Sequence, residues 1–232
     1  ASLVPAIAEG LALGNQRMIK HRTQEALRIS ILIGLPAAFG LFGLAPEISL
    51  MLFNYPQVGI PLSILAFGTL SLGLHQTTAG ILQGLGKVFI PVRNLLAGTL
   101  LKLIINYYLT AVPHLGIKGA AWGTTLGFTL TALLNIWDLR RLVKFPWDLP
   151  GMIFKPGIAT GVMYLVVRGV YTISYRTTMG YFLLWLPQSA HFWANTTGTL
   201  FGIIFGALVY FLTLLILGGI RRRDLELIPR YG

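Results

Sequence analysis

An all-α, polytopic transmembrane helix bundle is the fold class this sequence predicts, on three observations. Six stretches are each long and apolar enough to cross a bilayer core of about 30 Å. Only 11% of the residues are charged against 55% hydrophobic, whereas an ordinary soluble domain carries about a quarter charged residues. The cations gather in alternate connections between the apolar stretches. With a mean hydropathy of +0.72, 232 residues have more apolar surface than one soluble core can bury.

Residues 1–14 are small and mostly apolar, start at Ala1 and have no basic leader before them. They read as the end of a truncated transmembrane helix rather than a signal peptide, so the chain is expected to be a C-terminal portion. Residues 15–145 hold four spans, at 27–53, 60–85, 91–112 and 116–139. The first carries Pro36 between Gly34 and Gly40, which predicts a kink because proline removes a helical hydrogen bond. It ends at Asn54-Tyr55-Pro56-Gln57, the second ends at Gly86-Lys87, and the third ends at Pro113-His114; each is a turn or breaker signal. In the fourth, Gly119, Gly123 and Gly127 recur every four residues, as Gly80/Gly84 and Gly202/Gly206 do elsewhere, which permits close helix approach. Residues 146–220 open on a Pro-flanked loop, 146–150, and hold two accessory spans, 152–173 and 196–220. Between these two, 175–197 carries Tyr181, Phe182, Trp185, Phe192 and Trp193. It reads as a long outer loop, either lying on the membrane surface or loosely ordered. Residues 221–232 form a basic tail.

The 18 Lys and Arg against 7 Asp and Glu give a net charge of +11. In a soluble protein that would suggest nucleic acid, but the distribution follows membrane orientation, and no nucleic-acid partner is expected. Arg17, Lys20, Arg22 and Arg28 precede the first span, and Lys87 and Arg93 follow the second. Arg140, Arg141, Lys144 and Lys155 surround the loop after the fourth, and Arg221, Arg222, Arg223 and Arg230 follow the sixth. These alternate connections hold 14 of the 18 cations, so they are expected on the cytoplasmic side together with the C-terminus.

Candidate site residues are the polar groups inside spans. Lys102 lies about 16 Å deep in the third span, where a charge is costly and faces a cavity or a partner. No acid is expected at its depth, which leaves a carboxylate outside this chain or an anionic substrate. The alternative is an amine satisfied by carbonyls or hydroxyls at a helix interface. Gly98, Lys102 and Asn106 recur at i, i+4 and i+8 and share one face. His75, with Gln76 beside it, is expected about 15 Å deep in the second span. The two helices are therefore expected to line a midplane cavity, with a hydrogen-bonded packing role as the alternative for His75. Arg168, near the outer end of the fifth span, reads either as snorkelling to the interface or as binding an external phosphate.

The sequence has no Walker loop, no G-x-G-x-x-G opening a helix, no H-E-x-x-H and no carboxylates paired at matching depth. An enzyme is therefore not expected. With no cysteine there is neither a disulfide framework nor a thiolate metal site; no metal and no cofactor are expected.

Several runs together resemble a known family: residues 2–9 (SLVPAIAE), 34–38 (GLPAA), 76–86 (QTTAGILQGLG), 116–124 (GIKGAAWGT) and 224–229 (DLELIP). They are similar to the stage V sporulation protein B branch of the MOP exporter superfamily, which also holds MATE drug exporters, oligosaccharide-lipid flippases and the lipid II flippase MurJ. The resemblance implies two six-helix lobes around a central cavity with alternating access. This chain would supply the second lobe of a MOP/MATE-type transporter plus two extra C-terminal helices, which border a groove for a polyprenyl tail. The Lys102 and Asn106 pair matches the branch's pattern. Cavity arginines of the first lobe cannot be carried over, because that lobe is not in the chain.

Expected partners are therefore a lipid-linked oligosaccharide, membrane lipids and a missing N-terminal lobe, in a bacterial cytoplasmic membrane. The leading function is translocation of a polyprenyl-pyrophosphate-linked sugar. The alternatives are a cation-coupled MATE-type multidrug exporter, which would want intramembrane carboxylates, and a non-transporting scaffold in envelope or spore assembly.

Overall fold

The computed structural model describes residues 3–144 and 150–219. The tail at 221–232 and most of the Pro-flanked loop after the fourth span lie outside the described residues. The rest is helical: α1 (Leu3–Ala12), α2 (Gln16–Gly43), α3 (Ala45–Phe53), α4 (Gly59–Gly84), α5 (Phe89–Thr110), α6 (Ile117–Val143), α7 (Lys155–Trp185) and α8 (Ala190–Ile216). A 3-10 turn at Pro56–Val58 leads into α4, and a π turn at Pro150–Phe154 leads into α7.

Local chemistry sets the boundaries. Asn15 caps α2 by accepting the Met18 amide at 3.0 Å, as a short amide at N-cap does. The first predicted span is two helices, because Pro46 stands in the first turn of α3 and has no amide to continue the α2 ladder. Asn54 ends α3 in the left-handed region, φ 52°, a conformation Asn tolerates.

Segment 175–197 differs from its expected form. Helix α7 continues to Trp185 and α8 begins at Ala190, so the connection is residues 186–189. Nothing in 175–185 breaks a helix, and the Thr177 and Thr178 hydroxyls donate back to carbonyls one turn earlier. Pro187 supplies the stop, since the residue before a proline is pushed out of the helical region.

Among the described residues, five segments are long and apolar enough to span a membrane: Gln16–Gly43, Pro56–Gly84, Phe89–Thr110, Gly151–Trp185 and Ala190–Ile216. The chain is a multi-pass membrane protein. The fourth of the six predicted spans, α6, is missing from that set. Its 27 residues reach about 40 Å, but its buried positions include Gly119, Gly123, Thr125, Gly127, Thr131 and Asn135. Apolarity is low there because α6 packs against protein on two sides, α4 on one and α5 on the other.

Direct packing runs in a row. Helices α7 and α8 pair, α7 lies on α2, α2 on α4, α4 on α6 and α6 on α5. One apolar core joins Ile7 of α1 to Leu27, Ile81, Leu82 and Leu139. A second joins Leu44 to Ala159, Met163, Val167, Tyr210 and Leu214.

Candidate functional site

Helix α6 organises the polar interior. On its α5 side, the two four-residue ladders of the sequence turn out to face each other. Gly98 meets Gly127 and Thr131, Lys102 meets Gly127 through its Cβ, and Asn106 meets Gly123. The backbones approach closely enough that a Cβ on Gly127 would lie 2.8 Å from the Gly98 carbonyl oxygen. This is why small residues recur there. Lys102 and Asn106 therefore sit on an antiparallel helix seam rather than between α4 and α5.

On its α4 side, α6 presents hydroxyls and one amide. Thr125 donates to the Ile64 carbonyl at 3.0 Å, and the Ser71 and Thr129 hydroxyls pair at 2.8 Å. Asn135, fully buried, donates to the Thr78 hydroxyl and to His75 Nδ1, both at 3.1 Å. Its Oδ1 accepts from Asn94 of α5 at 3.0 Å. The second Asn94 amide proton goes to Asp138 at 2.8 Å, and Asp138 also receives Arg93 at 2.7 Å. Arg93 Nε returns to Asn94 Oδ1 at 3.2 Å. Each side-chain amide proton of Asn94 and Asn135 thus has an acceptor, which is what a buried polar network requires to be stabilising.

His75 and Lys102 are consequently not at one level. His75 meets α6 at Asn135 and Lys102 meets it at Gly127, eight residues or about 12 Å apart along the axis. Depth counted from helix ends ignores how far each helix projects and tilts. Gln76 is exposed and does not join the His75 network.

The cations Arg93, Arg168 and Lys102, all on spanning helices, differ in their partners. Arg93 is paired with Asp138. Arg168 donates to Glu47 at 2.8 Å and to the Gly43 carbonyl at 3.1 Å. It thereby bridges the α2/α3 break, a positive group on the C-terminal carbonyl of one helix and on an acid in the first turn of the next. Arg168 is remote from Lys102 in the packing order, and its guanidinium is held by protein. Lys102 is half-buried and has no hydrogen-bond or ion-pair partner among the described residues. Asn106 Oδ1 is likewise buried without one.

A groove of about 950 Å³ runs between α2, α7 and α8, walled by Leu32, Pro36, Leu41, Met163, Val167 and Tyr210 among other residues, nearly all apolar.

These elements coincide with a known family over most of the chain: residues 1–194 match the model described as lipid II flippase MurJ. The chain belongs to the MurJ family. Over all of its 232 residues it is 25% identical to stage V sporulation protein B of Bacillus subtilis (strain 168), covering 42% of that protein. It is 30% identical over 140 residues, 60% of this chain and 26% of the relative, to the uncharacterized membrane protein YabM of the same organism. To the probable low-salt glycan biosynthesis flippase Agl15 of Haloferax volcanii it is 26% identical over 213 residues, 90% of this chain and 41% of that one. The chain spans less than half the length of the curated relatives it matches. The MurJ family match takes in the whole α4/α5/α6 network and ends inside α8, so most of the α8 wall of the groove lies beyond it.

Asn94, Asn135 and Asp138 were not singled out by the sequence. Asn94 carried a signal, being one turn before Gly98 on the same α5 face as Lys102 and Asn106. Asn135 carried the matching one, two turns beyond Gly127 on α6.

Proposed function

We propose that the full-length protein is a flippase that moves a polyprenyl-pyrophosphate-linked sugar, a peptidoglycan or surface-polysaccharide precursor, across the cytoplasmic membrane by alternating access, without covalent chemistry. The observation that carries this reading is Lys102. It is a cation inside a span whose amine has no partner among the described residues, while Arg93 and Arg168 are both taken by acids. An unpaired amine within the membrane is costly, and an anionic head group passing the site would offset that cost. Asn106 lies one turn away on the same face. Gln76 and His75 belong to the same half of the transporter at another level, Gln76 exposed and His75 fixed by Asn135. Arg168 enters as a staple for the α2/α3 break rather than as a phosphate ligand.

The apolar groove between α2, α7 and α8 suits the polyprenyl chain. Its volume is at the upper end of the range for small-molecule sites, about 300–1,000 Å³, and its walls offer hydrocarbon. The partners are then the lipid-linked sugar, membrane lipids and an N-terminal lobe, with the cation-rich connections and the C-terminus in the cytoplasm. A cation-coupled exporter would want a free carboxylate among the spans, and Glu47 and Asp138 are each engaged by an arginine.

The test is Lys102→Ala in the full-length protein, read by the access of an externally added hydrolase to the lipid-linked precursor. Translocation is expected to be lost in Lys102→Ala and partly kept in Lys102→Arg, with expression and membrane insertion unchanged. Wild-type translocation by Lys102→Ala would refute the role given to Lys102, and absence of translocation by the unsubstituted protein would favour the scaffold.

A further inference from the structure

The groove lies directly over the one interior proline of α2. Proline at 36 has no amide, so the carbonyl four residues earlier, that of Leu32, loses its helical donor. In a hydrocarbon-lined site no water replaces it, and an unsatisfied backbone carbonyl there is costly. The structure supplies a donor from another helix: the Tyr210 hydroxyl of α8 donates to the Leu32 carbonyl at 2.7 Å. Tyr210 is buried in the second core, and its ring also forms part of the groove wall.

The two halves of α2 are held by different hydrogen bonds. Inward of the proline, Leu32 is bound to Tyr210, and Arg28 donates to the Gly219 carbonyl just past the end of α8. Ser30 is hydrogen-bonded to Thr77 of α4. Outward of the proline, the Gly43 carbonyl is bound by Arg168 of α7, and Phe42 is stacked with Tyr164 of α7 at 6.2 Å. Pro36 therefore separates an inner segment hydrogen-bonded to α8 and α4 from an outer segment hydrogen-bonded to α7, while Phe39 and Phe42 of the outer segment pack on Phe67 of α4. The groove opens between α2, α7 and α8. Any widening of the groove that shifts α8 must carry the inner half of α2 with it or strand the Leu32 carbonyl.

We propose that the Tyr210–Leu32 hydrogen bond couples filling of the apolar groove by a long hydrocarbon chain to the bend of α2 at Pro36. This rests on the reading of the groove as a tail site. The Ser30–Thr77 contact passes the bend to α4, and α4 packs on α6, whose other side faces Lys102 of α5. Groove occupancy thus reaches the polar half of the bundle through the Tyr210 hydroxyl and the Ser30–Thr77 pair.

The chain contains no cysteine, so spin labels can be placed at will within it. In the full-length protein, labels at Arg22→Cys and Leu52→Cys, both exposed positions, span Pro36 and the Arg168-stapled α2/α3 junction, and pulsed dipolar spectroscopy reads the distance between them. The samples are nanodiscs of phosphatidylethanolamine and phosphatidylglycerol, with and without undecaprenyl phosphate. A photoreactive undecaprenyl phosphate cross-linked to α8 reports groove occupancy separately. The expected result is a shifted label distance on adding undecaprenyl phosphate, and loss of that shift in Tyr210→Phe with cross-linking retained. Pro36→Ala, which restores the Leu32 helical bond while keeping Tyr210, should also bind without shifting, and it decides the question if Tyr210→Phe does not fold. Cross-linking without a shift in the wild type, or an undiminished shift in either variant, overturns the coupling. Absence of cross-linking in the wild type overturns the tail site itself, and the coupling with it.

Discussion

Replacing Gly123 by Ala should separate α5 from α6, and a second substitution should bring them back. A Cβ at 123 would fall well inside contact distance of Asn106 Oδ1, 3.0 Å from Asn106 Cγ and 3.2 Å from the Lys102 carbonyl oxygen. Asn106 cannot retreat freely, since its Oδ1 is already enclosed. Overpacking of this kind costs roughly 1–3 kcal/mol. Asn106→Ala removes the two nearest atoms and leaves the Lys102 carbonyl at 3.2 Å as the closest neighbour, which an adjustment of a few tenths of an ångström relieves. The buried Asn106 Oδ1 has no partner to lose, so Asn106→Ala alone should cost about 1 kcal/mol or less, because an unsatisfied buried acceptor is itself destabilising. The double variant Gly123→Ala/Asn106→Ala should recover about 1–2 kcal/mol relative to Gly123→Ala, a coupling within the range for residues in contact. The control is Gly98→Ala, whose Cβ would lie 2.5 Å from the backbone oxygen of Gly127. No side-chain truncation relieves that clash. The assay is the thermal unfolding midpoint of the detergent-solubilised full-length protein. Equal midpoints for Gly123→Ala and the double variant would refute the seam as described.

Asn135→Ala should destabilise by about 2 kcal/mol, because it strands His75 and deprives Asn94 of one acceptor in a buried site; the same thermal assay measures it. Arg168→Gln should cost about 1 kcal/mol by leaving the mostly buried Glu47 unpaired, and adding Glu47→Gln should restore most of it, since an uncompensated acid is worse than no pair at all. For orientation, single cysteines at Lys144 and Trp185 should react with a membrane-impermeant maleimide from opposite sides of the membrane, Lys144→Cys only after lysis and Trp185→Cys in intact cells.

The sequence disclosed most of the helices and both ladders of the α5–α6 seam, because four-residue spacing is a property of one helix. It did not disclose that the ladders face each other, because pairing is set by how α4, α5 and α6 pack in three dimensions. Gly98, Lys102 and Asn106 were legible as one face, yet that face looked like cavity lining rather than a seam with Gly123 and Gly127. The level of His75 was misread for a related reason: residues counted from a helix end give depth only when the helices start together and stand upright. Trp185 and its neighbours looked interfacial because aromatic residues favour the headgroup region, but composition alone does not say whether such a segment lies flat or continues a helix. Pro36 was legible as a kink. Its partner Tyr210 was not, because a carbonyl orphaned in α2 leaves no mark on the sequence of α8.

On the proposed reading, the head and tail of the substrate are handled by different groups of helices, which among the described residues meet only where α2 touches α6. Lys102 belongs to the α5–α6 seam, while the groove belongs to α2, α7 and α8, and α4 stands between them in the packing order. Helix axes in contact are about 8–10 Å apart, so a head group at Lys102 and a chain in the groove are separated by more than one helix diameter. A compact amphiphile cannot occupy both positions, whereas a long flexible polyprenyl chain can leave the head site, pass through the bilayer and return to the groove. Discrimination would then fall on chain length as well as on the anionic head. A short-chain analogue would engage Lys102 without filling the groove, and the bend of α2 would not respond to it. Tyr210 would in that way make the transporter answer to the complete lipid-linked substrate rather than to its head group alone.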